Sequence, residues 1–177
     1  MARVFLNRIG DDTLAKLEAA ATVRFREARK LQGQGERLGA LYLYGYTIEM
    51  RLKAAYYHLA GLGDDDDLSQ RPAPGAQSPR NAAEAQIRAL PGLNPGASVG
   101  HHLEGWVRLL VRTRSSHRVV PPYGNVFEKQ LSDHVQAAAR QWKEYLRYRA
   151  NRPYDEELRD VTDAARWIGR NYHKLWS

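Results

Sequence analysis

Arg159, Arg166, Arg170 and His173 fall within about 60° of one another on an ideal helix. They lie opposite an apolar stripe of Leu158, Val161, Ala165, Ile168, Tyr172 and Leu175. A guanidinium can clasp phosphate oxygens through two parallel hydrogen bonds, and an imidazole can move a proton near neutral pH. Arg159, Arg166 and Arg170 therefore read as an RNA-facing strip. Asp163 interrupts it, and the same pattern also describes the solvated face of an amphipathic helix.

Glu49 is a different kind of candidate. It falls inside the helical stripe Leu38, Leu41, Gly45, Leu52, Tyr56 and Leu59. A carboxylate facing a core is unfavourable unless it is paired. Gly45 adds a second local penalty on the same face, about 1 kcal/mol relative to Ala. Together they predict that something specific packs there. Lys53, at i+4, is the nearest partner for Glu49.

Other chemistries find little footing. The chain has no cysteine, which excludes disulfides and thiolate sites and suits a reducing cytoplasm. His101 and His102 are adjacent, so on a helix they diverge by about 100° and cannot both grip one ion. Asp64, Asp65, Asp66 and Asp67 lack the alternation of a calcium loop and read as solvated. Gly61-Leu62-Gly63 follows a helix rather than a strand, the wrong order for a phosphate loop. No metal or cofactor site is expected.

The elements that must position these residues are helical throughout. Asp11 and Asp12 offer an N-cap for a helix over Thr13–Leu31, stopped by Gly33. Further helices are predicted over Glu36–Ala60, Arg80–Leu90 (the short one), His101–Thr113, Asn125–Ala150 and Asp155–Leu175. The fifth carries Phe127, Leu131, Val135, Ala138, Trp142 and Tyr145 on one face. Residues 62–79, with four Asp and three Pro, read as a flexible loop. No run approaches the ~18 apolar residues of a membrane span. The N-terminus also lacks the apolar core of a signal peptide. The 177 residues carry a net charge of +7, with Arg outnumbering Lys more than threefold. That bias suits phosphate partners, although genomic base composition can produce it too.

Gly45, Tyr46, Glu49, Leu52, Lys53 and Ala54 fit a Gly-Tyr-x-x-Glu-x-x-Leu-Lys-Ala pattern without a gap. Gly100, His101, Leu103 and Trp106 follow a Gly-His-x-Leu-x-x-Leu pattern, with Trp in place of the last Leu. Trp142 is then followed five residues later by Arg147 and Tyr148. In this order the three blocks resemble HEPN domains, the higher-eukaryote and prokaryote nucleotide-binding helical bundles. The resemblance does not reach residues 61–99 or the last helix. It implies a single-domain, all-α, up-and-down bundle of about five long helices plus a short one. It also implies a structural network of Glu49, Lys53, His101 and Arg147, and a homodimer, because active sites in the family form where two protomers meet. Ribonuclease members carry an Arg and a His with four to six residues between them. Arg166 with His173 is then the first candidate catalytic pair, Arg112 with His117 the second, and Arg51 with His58 the third.

The function expected on this basis is nucleotide or RNA binding, or an interaction role, in a cytoplasmic defence or toxin–antitoxin system with a cognate antitoxin. The alternatives are a metal-independent endoribonuclease toxin and a structural adaptor. Tryptophans 106, 142, 167 and 176 are expected to be core or dimer contacts rather than base-stacking platforms.

Overall fold

The computed structural model describes residues 12–93, 96, 99–117, 124–148 and 152–177. Among them are six α-helices and no strand. The helices are α1 (Leu14–Gly33), α2 (Arg37–Leu59), α3 (Pro79–Arg88), α4 (Leu103–Ser116), α5 (Asn125–Gln141) and α6 (Asp155–Arg170). Short 3-10 turns cover Val99–His101, Glu144–Tyr148 and Tyr172–Leu175. No helix among the described residues is long and apolar enough to cross a membrane.

Three of the six α-helices start on a side-chain cap. Thr13 Oγ1 accepts from the Lys16 amide, Ser78 Oγ from Asn81, and His102 Nδ1 from Gly105. The centre of the bundle is α2, which packs on α1, α4 and α6. Thirteen of its 23 residues are buried, so core surrounds it on most sides.

The predicted fifth helix ends early, at Gln141 rather than Ala150. Trp142 turns extended, with φ −106° and ψ 129°. That turn drives its indole into a notch on α2 at Gly45. Nε1 then donates to the Tyr42 carbonyl at 3.1 Å, and the Tyr46 ring meets the indole edge-on at 5.3 Å. Beyond the break Tyr145 is exposed instead of inward. The Arg147 side chain lies outside the described residues. The last helix also stops short, at Arg170. Asn171 folds its side chain back onto the Trp167 carbonyl, and a 3-10 turn follows. Tyr172 and Leu175 are still buried.

The segment over residues 62–79 is tied down at one end. The carbonyls of Asp66 and Asp64 accept the amides of Leu14 and Ala15, satisfying donors that α1 cannot satisfy itself. Leu68 is buried, its amide donates to Asp12, and Arg80 pairs with Asp12 at 2.5 Å. At the other end of the chain, fully buried Arg114 donates from Nη1 to the carbonyls of Lys174 and Leu175. That grip docks the C-terminal turn onto α4.

Candidate anion-binding cleft

A cavity of about 470 Å³ opens between α1, α2 and α6. Ala21, Phe25, Ala165 and Gly169 give it an apolar floor, and Thr22 and Thr47 add hydroxyls. Arg26, Arg29, Arg51, Arg166 and Arg170 surround that floor, with no carboxylate in the lining. Helical spacing puts them there. On α1, residues 22, 25, 26 and 29 share a face, and on α6 so do 166, 169 and 170. Arg51 lies one turn beyond Thr47 on α2. Arg26 and Arg29 also border a second depression with Lys30, which extends the basic surface along α1.

Arg51 is the most constrained of the five. Its Nη2 donates to Thr22 Oγ1 at 2.8 Å, and its guanidinium carbon sits 4.2 Å from the centre of the Tyr172 ring. Beyond Arg51, outside the cleft lining, lies a polar knot. The Tyr172 hydroxyl donates to Glu18 Oε1. His58 Nε2 lies 3.0 Å from the same oxygen. The His58 ring stacks on Trp176 at 4.2 Å. Burial opposes charge on Glu18, but hydrogen bonds from Tyr172 and His58, with the positive charges of His58 and Arg51, hold its carboxyl below the ordinary value. Burial and the bond to Glu18 push the Tyr172 phenol up.

Of the residues singled out from sequence, Arg166 and Arg170 line the cleft. Arg159 does not; it lies exposed, 3.7 Å from Glu156. His173 is exposed on the 3-10 turn and outside the lining, because α6 ends before it and the ideal-helix placement no longer applies. Arg112 and His117 are exposed on α4 and at its C-terminal cap, away from the cleft. Of the third-ranked pair, Arg51 lines the cleft, whereas His58 lies outside the lining and is linked to Arg51 only through Glu18 and Tyr172.

Sequence reasoning missed Arg26 and Arg29, whose i, i+3 spacing around Phe25 was the available signal. It also expected no metal site. Yet Glu18, His58 and Asp64 converge, with one ligand atom of each within 4.8 Å of the others.

Glu49 sits on the other side of α2, 3% exposed. Lys53 Nζ reaches Oε1 at 2.6 Å, and His101 Nδ1 reaches Oε2 at 2.8 Å. The other His101 nitrogen is 3.6 Å from Glu144. The bond to Glu49 raises the His101 pKa against the opposing pull of burial. Lys53 also lies 5.3 Å from the buried Trp106 ring. Trp106 and Trp142 are core residues, and Trp167 and Trp176 are partly buried against that core. This second site ties α2 to the 3-10 turns at His101 and Glu144. No protein-family model, curated protein or solved structure matches the chain, so it is the arginine cleft itself that points to a function.

Proposed function

We propose that this is a HEPN-like helical protein that binds RNA or a nucleotide through the cleft between α1, α2 and α6. The observation that carries the reading is five guanidinium groups around one apolar-floored cavity with no acidic residue in its lining. Such a cluster repels itself when empty, and a ligand bearing several phosphates relieves the repulsion. The size is within the range of small-ligand clefts. Support for the family comes from the meeting of its three sequence blocks. Trp142 fills the notch at Gly45, and His101 bonds Glu49. The homodimer, the cognate antitoxin and the defence setting belong to the same proposal. RNA cleavage is a second reading. It is favoured by the chain of contacts that joins Arg51 to His58 through Tyr172 and Glu18, and it expects cutting that survives chelation.

The test is binding of a labelled single-stranded RNA oligonucleotide at several salt concentrations. Affinity is expected to fall steeply with salt as condensed counterions are released. Arg166→Ala and Arg170→Ala should each reduce the slope of log affinity against log salt by about one unit. Arg112→Ala, outside the cleft, should leave the slope unchanged. Gly169→Trp should block binding without altering charge, since a side chain at Gly169 starts in open space. Absence of binding at low salt, or equal losses from Arg112→Ala and Arg166→Ala, would refute the cleft as the site.

A further inference from the structure

Glu18 on α1, His58 on α2 and Asp64 on the segment after α2 come from three parts of the chain. One ligand atom of each lies within 4.8 Å of the other two. We infer that they form a binding site for a divalent transition cation of the Mn²⁺ or Zn²⁺ kind. Bonds of about 2.0–2.2 Å to nitrogen and oxygen fit that spacing after a small side-chain shift. The donor set selects the class of ion. Carboxylates alone suit Mg²⁺ or Ca²⁺, whereas an imidazole nitrogen with two carboxylate oxygens suits a softer cation.

Each ligand residue has a further contact that helps to position it. The Tyr172 hydroxyl holds Glu18, and the stack on Trp176 fixes the His58 ring. Asp64 is placed by its own carbonyl, which accepts the Ala15 amide at 3.0 Å. The other acids of the run are not equivalent to it. Asp66 accepts from the Gly63 amide at 2.7 Å, and Asp67 accepts from Ser69 and Gln70, so both close turns of their own loop.

Asp64 is exposed and gives an ion a way in. The Arg51 charge opposes it, but that guanidinium is drawn towards Thr22 and the Tyr172 ring. Three protein ligands leave coordination positions open for water or an anion. Thr22, one turn along α1 from Glu18, lines the arginine cleft, so the site neighbours the cleft along α1. An ion on His58 Nε2 and a free His58 proton shuttle exclude each other at that atom. The site does not depend on what the cleft binds.

Titrating Mn²⁺ into the full chain, with the free ion followed by electron paramagnetic resonance, tests the inference. Saturable binding of a single equivalent is expected, with competition by Zn²⁺. Asp64→Asn and His58→Gln should each weaken it by ~10-fold or more. Asp65→Asn and Arg166→Ala should leave it within about twofold, because neither residue is a ligand. Asp64 is exposed, so its variant should keep the wild-type circular dichroism and separate lost ligation from lost fold. No binding of either ion at millimolar concentration overturns the site. So do equal losses from Asp64→Asn and Asp65→Asn, which would mean diffuse attraction to the acidic run.

Discussion

Gly45→Ala is expected to destabilise the protein by at least about 2 kcal/mol, although Gly to Ala inside a helix ordinarily gains about 1 kcal/mol. The reversal comes from Trp142. A Cβ on residue 45 would stand 2.0 Å from the indole Cδ1 and 2.1 Å from Nε1. The indole cannot retreat cheaply. It is 1% exposed, bonded to the Tyr42 carbonyl and set edge-on against Tyr46. Moving it also moves the chain break that ends α5. A double-mutant cycle in urea separates this clash from a general weakness of α2. Trp142→Ala alone should lose about 3–5 kcal/mol to the cavity it leaves. In that background Gly45→Ala should be neutral or slightly stabilising. Equal destabilisation by Gly45→Ala in both backgrounds would show that the notch is not the cause.

The same contact explains where the fold could be read from sequence and where it could not. Stripes of period 3.6 place α1, α2 and α4, and Gly33 and Gly61 mark two helix ends. These signals are local, so they survive without knowledge of packing. The end of α5 is not local. Lys143, Glu144 and Leu146 are good helix formers, and only the slot at Gly45, about 100 residues earlier in the chain, makes Trp142 leave the helix. Gly45 itself was visible as an anomaly, but not the side chain that fills it. The cleft has the same character. Arg166 and Arg170 stand out on their own helix. Arg29 looks like a charge complementing the α1 dipole until α2 and α6 bring Arg51, Arg166 and Arg170 to the same cavity. His173 joins the arginine strip only on a helix that continues past Asn171, and α6 ends at Arg170. Glu18, His58 and Asp64 share no spacing at all, because their proximity is made by the crossing of α1 and α2 and by the segment that caps α1.

Glu49→Ala is expected to lower stability by about 3–5 kcal/mol, because it leaves Lys53 and His101 facing a buried site without their counter-charge. Glu49→Gln keeps the shape and one acceptor and should lose less. The pH dependence identifies the His101 share. Its pKa is raised in the folded state, first through the bond to Glu49. A raised value means the folded protein holds the proton more tightly than the unfolded chain does. The associated stability is therefore complete below the unfolded value of 6.5 and fades as pH rises through the higher folded value. Neutral His101 can still donate from Nδ1, so the hydrogen bond survives, while the ionic part and the attraction of Nε2 to Glu144 are lost. The bond from Lys53 does not depend on that proton. The stability gap between wild type and Glu49→Gln should thus be widest near pH 6, where carboxylates are ionised and imidazoles largely protonated, and should narrow without closing as pH rises. Chemical denaturation across that range measures it. A constant gap would remove His101 from the pair and leave Lys53 as the only partner that Glu49 serves.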